Sequence, residues 1–120
     1  MKILVVDDSK AMRAIVKRAL SGLDRIAGAT IIEAEDGSEA LAIVRTENPD
    51  LVLSDWNMPR MTGIELLHAL NEAGVSVPFG FVTSESTPEM LELARAHGAD
   101  FVVTKPFTPE SIDQALAGVI

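Results

Sequence analysis

The sequence predicts an α/β fold: a doubly wound, five-stranded parallel sheet covered by helices on both sides. Two observations carry this. Short, nearly continuous apolar runs recur at residues 3–6, 31–34, 51–53, 79–82 and 101–103, as strands buried on both faces require. Stretches with helical spacing separate them, and βα repeated five times reads as a parallel sheet with helical crossovers. The order 2-1-3-4-5 is the natural arrangement for five such strands, although the pattern alone leaves strand order open.

Each element follows from local chemistry. After the first strand, Met12, Ile15, Val16, Ala19, Leu20 and Leu23 recur at i, i+3, i+4, i+7, i+8 and i+11, one face of a helix. The second helix begins near "DGSE", where Asp36 and Glu39 have capping-box spacing, and the third near "TGIE", where Thr62 and Glu65 repeat it. "TPE" occurs at 87–89 and again at 108–110. Each supplies a cap residue, a proline suited to the first helical position and an acid in the first turn, and so starts the last two helices. Their apolar faces are Met90, Leu93 and Ala94, then Ile112, Ala115, Leu116 and Val119. No linker, low-complexity tract or long repeat interrupts the series, so a single domain over residues 1–120 is expected.

Composition narrows the function. With 48% apolar residues in 120, the chain can build one core and has no room for a second. It has no cysteine, hence no disulfide and no thiolate metal site, which fits a cytoplasmic setting. A net charge of −8 makes nucleic acid and anionic membrane poor direct partners and a cation a better one. The start, "MKILVVDD", reaches paired acids after a short apolar run, too brief for the core of a signal peptide. No later run is long enough to cross a bilayer, so neither export nor anchoring is expected.

In doubly wound sheets, ligands bind beyond the carboxyl ends of the strands at the switch in strand order, here between strands 1 and 3. The residues at these ends are Asp7 and Asp8, Asp55, Thr83 and Ser84, and Lys105. In "LVLSDWNMPRMTG" (51–63) an apolar strand climbs to Asp55 and is broken just beyond by Pro59 and Gly63. Each residue alone has an ordinary use. Asp8 can cap the first helix, Asn57 and Pro59 can serve a turn, Thr83 or Ser84 can satisfy loop amides, and Lys105 can be a surface charge. Together, the three acids would repel one another unless a cation joins them. Oxygen ligands without Cys or a paired His motif point to Mg²⁺, which keeps several waters and suits a phosphate-handling site. A carboxylate can attack phosphorus and hold an acyl phosphate, and Asp55, at the sheet centre, is the best placed to do so. Mg²⁺ on Asp7, Asp8 and Asp55 would neutralise phosphoryl oxygens, while Lys105 and the Thr83 hydroxyl would hold others.

These residues resemble the receiver domain of bacterial two-component response regulators. "VVDDS" at 5–9, "LSDWNMPRMTGIELL" at 53–67, "VTSES" at 82–86 and "TKPF" at 104–107 match its motifs in order and spacing across essentially the whole chain. The resemblance implies a flavodoxin-like fold with the 2-1-3-4-5 order known for flavodoxin and the stand-alone chemotaxis receivers. It implies that Asp55 is the phosphoacceptor and that Asp7, Asp8, Asp55 and the Asn57 backbone carbonyl hold Mg²⁺. Thr83 and Lys105 would then grip the phosphoryl group, and a cis peptide before Pro106 would aim Lys105 into the crevice. "DWNMP" and "DDSKAMR" look most like the stand-alone chemotaxis type. The implied upstream partner is a sensor histidine kinase or histidine phosphotransfer protein. Downstream, an unknown protein target would read a surface change on the face of helix 4, strand 5 and helix 5. No nucleic acid or membrane partner is implied, and a monomer or weak dimer is expected.

Departures from the motif pattern matter too. Val102 stands where many receivers carry an aromatic switch, and Phe101, one place earlier, points to the opposite face of the strand. Ser84 stands where the family usually has a smaller residue. Asn57 and Glu85 resemble the positions that tune how fast water removes the phosphoryl group, and the resemblance implies that polar side chains there orient that water and shorten the life of the phosphoryl group. His68 and His97 are read as packing or helix-end charge, neither as a phosphodonor. The methionines at 12, 58, 61 and 90 are read as gap-fillers. Arg13, Lys17 and Arg18 form a basic stripe, by default a solvated face and more sharply an acidic partner's surface. The alternatives are a phosphate sink or output-less receiver, and a Mg²⁺-dependent phosphohydrolase using Asp55 or Asp7, which lacks the D-x-D that dehalogenase-type phosphatases need after strand 1. A flavin module would want a Ser/Thr/Gly-rich loop where this chain has two acids. The expected protein is not an enzyme beyond its own phosphorylation and dephosphorylation.

Overall fold

Successive residues of a strand face opposite sides of a sheet, and in this chain both sides are apolar. The computed structural model describes residues 1–120. Its strands are β1 (Lys2–Val6), β2 (Thr30–Ala34), β3 (Leu51–Ser54), β4 (Phe79–Thr83) and β5 (Phe101–Thr104). Alternating with them are α1 (Lys10–Ser21), α2 (Gly37–Glu47), α3 (Gly63–Glu72), α4 (Pro88–Ala96) and α5 (Pro109–Leu116), with a 3-10 turn at Asp24–Ile26. All neighbouring strands pair parallel, in the order β2-β1-β3-β4-β5. No helix is long and apolar enough to cross a membrane.

The alternation sorts the core into two layers. Leu4, Val6, Val52, Phe79 and Phe81 pack with Leu66, Leu67 and Leu70 of α3, with Ala40 and Val44 of α2, and with Ala94 of α4. Ile3, Val5, Leu51, Leu53, Val82 and Val103 pack on the other side with Val16, Ala19 and Leu20 of α1 and Ile112 and Leu116 of α5. Removing each of the Val, Leu, Ile and Phe side chains fully from water contributes about 1.5–3 kcal/mol.

The caps largely follow the sequence signals. Thr62 and Glu65 form a reciprocal box, and Thr87 and Thr108 cap α4 and α5 with proline in the first turn. Asp36 caps α2 by accepting from the Glu39 amide, without the return bond from Glu39. Ser9 caps α1, which leaves the Asp8 carboxylate free. Some expected core positions differ. Ile15 is 52% and Leu93 42% exposed, because the buried stripe of α1 narrows to Val16, Ala19 and Leu20 beside Arg13, and α4 buries Ala94 alone. Leu23 and Val119 lie beyond the ends of α1 and α5. Met58 is buried and Met12, Met61 and Met90 are partly so, all against the core, as gap-fillers should be.

Two glycines are set by close approach. At Gly80 a Cβ would overlap the ring of Phe101, its partner in the β4–β5 register. Phe101 therefore packs on the α1/α5 side, while Val102 packs on the other. At Gly63 a Cβ would run into the Asp55 carbonyl oxygen and come 2.8 Å from the Phe81 ring.

Candidate functional site

The parallel sheet delivers every strand's carboxyl end to one edge, so the residues after β1, β3, β4 and β5 share a cleft. Asp7 continues β1, and its amide donates to the Ala34 carbonyl at 3.1 Å. Asp55 continues β3 in the same way, its amide donating to the Val6 carbonyl at 2.9 Å. Asp7, Asp8 and Asp55 each offer a carboxylate oxygen, and these oxygens all lie within 4.8 Å of one another. From the far side, Lys105 extends its ammonium to 3.3 Å from Asp7 Oδ2 and 3.6 Å from Asp55 Oδ1. The first distance is a weak hydrogen bond and the second a purely coulombic contact. The Lys105–Pro106 peptide is cis.

Asp55 is held in tension by this company. Its side chain is 12% exposed. Burial raises its pKa above the usual 3.8; Asp7 and Asp8 push the same way, and Lys105 and the Trp56 amide oppose them. That amide donates to Asp55 Oδ1 at 2.8 Å, and the Trp56 ring lies 4.7 Å from Phe81, centroid to centroid. Three carboxylates with one ammonium leave uncompensated negative charge, which a cation would relieve. The donor set is all oxygen and suits a hard divalent ion. Around Mg²⁺, ligand oxygens sit about 3–4 Å apart, so a small closure of these side chains would complete the site.

The other expected residues are placed differently. Thr83 is fully buried, and its hydroxyl accepts from the Glu85 amide at 3.3 Å, with no hydrogen bond to Asp55. Asn57 stands exposed in the loop after Asp55, and Ser84 is also exposed. His68, in the middle of α3, lies 3.8 Å from Glu72 and packs edge-on to His97 with ring centroids 5.8 Å apart, and His97 caps α4 with Nδ1 on the Leu93 carbonyl, in keeping with packing for the first and a helix-end role for the second.

Arg13 corrects the reading of a basic stripe open to a partner. Its side chain is 8% exposed. Nε donates to Glu33 Oε1 at 2.9 Å and Nη1 to the Asp7 carbonyl at 2.7 Å, while Lys17 takes Glu33 Oε2 at 3.1 Å. Hydrogen bonds from Lys17 and then Arg13 hold the Glu33 carboxyl below its usual 4.5. The lone acid within the apolar run of β2 was the available signal for this internal ion pair. Sequence reasoning also missed a tether on the loop after β3, where Arg60 Nη1 donates to Asp36 Oδ2 at 2.8 Å and Met61 covers Gly37.

Comparison with known proteins covers the same ground. Residues 3–117 match the profile of the response regulator receiver domain. The chain is 39% identical over 118 residues to the chemotaxis protein CheY of Pseudomonas aeruginosa, spanning 97% of this chain and 93% of that relative. It is 35% identical over 123 residues to a chemotaxis protein CheY homolog of Campylobacter jejuni, spanning 100% and 92%. The solved structure of chemotaxis protein CheY4 of Vibrio cholerae superposes with a TM-score of 0.86 at 36% identity, spanning 99% of this chain and 98% of that one. Sheet order, acid-lined strand ends and likeness over nearly the whole length agree, and the chain belongs to the response regulator receiver domain family.

Proposed function

We propose that this protein is a cytoplasmic, phosphorylation-activated signalling switch of the chemotaxis type. The observation that carries the reading is the convergence of Asp7, Asp8 and Asp55 with Lys105 as the cation that reaches the Asp7 and Asp55 carboxylates. Asp55 takes a phosphoryl group from a phosphohistidine on a sensor histidine kinase or histidine phosphotransfer protein. Its carboxylate oxygen attacks phosphorus, the N–P bond breaks, and the electron pair leaves with the imidazole nitrogen, which is protonated. Asp7, Asp8, Asp55 and the Asn57 carbonyl would hold Mg²⁺, which supplies charge neutralisation on the phosphoryl oxygens. Lys105 is freed from Asp55 to pair with the transferred group, and Thr83 turns from the Glu85 amide to donate its hydroxyl. The protein acts on no substrate but its own Asp55.

Output follows from that exchange. When Thr83 releases the Glu85 amide, the loop before α4 is reset. The Thr104 hydroxyl, which donates to Ser86 Oγ at 3.0 Å, ties the same loop to β5. A protein target that prefers the altered surface of α4, β5 and α5 then binds. Val102 in place of an aromatic favours a second reading, a phosphate sink without an output partner.

Trp56 reports on the cleft. Addition of Mg²⁺ should change its emission saturably, and acetyl phosphate or beryllofluoride should give a second change in the native protein and none in Asp55→Asn. Absence of both responses, with unchanged intact mass, overturns the proposal. Capture of a target that depends on Asp55 phosphorylation separates the switch from the sink.

A further inference from the structure

Arg13 is the charged residue of α1 that the fold buries, and it lies directly behind the acids of the cleft. We propose that Arg13 is a positioning residue: by gripping the Asp7 carbonyl it locks the Asp7–Asp8 peptide so that both carboxylates face one divalent cation, and thereby sets Mg²⁺ affinity without touching the ion. The inference takes the cleft's proposed role as a Mg²⁺ site as its starting point.

Three bonds pin this turn. The Asp7 amide donates to Ala34, the Ser9 amide donates to Asp7 Oδ1 at 2.9 Å, and Arg13 Nη1 donates to the Asp7 carbonyl at 2.7 Å. The donors of the first two are backbone groups that any sequence would supply. The third is a side-chain choice. The Asp7 carbonyl and the Asp8 amide share one plane, so holding the carbonyl fixes the direction in which Asp8 leaves the backbone. This matters most for Asp8, which is exposed and whose carboxylate accepts no hydrogen bond within the chain. The backbone fixes where its Cβ leaves the chain, and no hydrogen bond within the chain holds its carboxylate.

The guanidinium fits the task because its fork is rigid. Nε engages Glu33 while Nη1 engages Asp7, and a lysine ammonium cannot hold both at these positions. Glu33 also answers the charge of Arg13, so the arginine does not act as a rival cation in the cleft. Its effect is geometric. Outer residues that orient metal ligands typically govern affinity by about 10–100-fold.

The test is a Mg²⁺ titration, read by Trp56 emission and by calorimetry, with Tm recorded separately in Mg²⁺-free buffer. Arg13→Lys and Arg13→Gln should raise Kd about tenfold or more, while Lys17→Met should stay within about twofold of native. Ile26→Val, which trims a buried methyl group on the α1/α5 side, should lower Tm and leave Kd unchanged. If Arg13→Gln does not fold, Arg13→Lys decides, since it keeps the charge and most of the apolar stem. A folded Arg13→Lys with native Kd overturns the proposal, whatever its Tm. So does Ile26→Val raising Kd as much as Arg13→Lys, because affinity would then merely follow stability. A native protein with no saturable Mg²⁺ response is a different result: it defeats the Mg²⁺ reading of the cleft, and this inference with it.

Discussion

Replacing Gly63 by alanine tests how tightly the backbone around Asp55 is packed. Gly63 opens α3, and its φ is not among the left-handed ones, so conformation does not forbid a side chain. Helix propensity alone would favour alanine by up to about 1 kcal/mol. Packing opposes it. The new Cβ would overlap the Asp55 carbonyl oxygen, lie 3.2 Å from the carbonyl carbon and reach within 2.8 Å of the Phe81 ring. Neither side yields easily, because the Gly63 amide is bonded to the Trp56 carbonyl at 2.8 Å and the Asp55 amide to Val6 at 2.9 Å. Overpacking at such a site costs about 1–3 kcal/mol. At about 4 °C per kcal/mol for a domain of this size, Tm should fall by about 4–12 °C. The assay is thermal and urea unfolding followed by circular dichroism, with Gly22→Ala as the control. At Gly22 a Cβ meets nothing within 4 Å and φ is −91°, so alanine there should be neutral or stabilise by about 0.5 kcal/mol. A Gly63→Ala protein as stable as native, or more so, would refute the argument that the Asp55 carbonyl closes this space.

Glu33→Gln should destabilise at neutral pH by about 1–2 kcal/mol, discounted from a buried pair because the Glu33 side chain is 35% exposed. A depressed carboxyl contributes fully above its usual 4.5 and loses that contribution as pH falls through its lowered folded value. Native and variant stabilities should therefore converge in acid, and a difference undiminished there would contradict the ion pair. Asp55→Asn removes a carboxylate that burial and the neighbouring acids disfavour, so Mg²⁺-free stability at neutral pH should rise. A less stable variant in urea titrations would contradict this. Asn57→Ala and Glu85→Ala should each lengthen the life of phosphorylated Asp55 several-fold if their side chains orient the attacking water. Native decay in both variants, timed by loss of the phosphoryl group, would remove that role.

Much of the architecture was written in short-range pattern. The strands begin and end within one or two residues of their apolar runs, and the Thr62, Thr87 and Thr108 caps arise from chemistry contained in four consecutive residues. The cleft was legible for a related reason: a parallel sheet sends every strand's carboxyl end to one edge, so Asp7, Asp8, Asp55 and Lys105 could be brought together once the strands were recognised. The strand order came from resemblance more than from pattern. Only the tertiary structure decided that Arg13 is internal, because its partner Glu33 lies on β2 and becomes adjacent only when β2 pairs with β1. It alone turned Ile15 and Leu93 outward, because helical periodicity marks a face without saying how much of it neighbours will cover. It also put the Thr83 hydroxyl on the Glu85 amide and tied Arg60 to Asp36. Local sequence determines which element forms and which residue types reach the strand ends. The contacts between elements distant in the chain determine which of those residues are buried, paired or free to act.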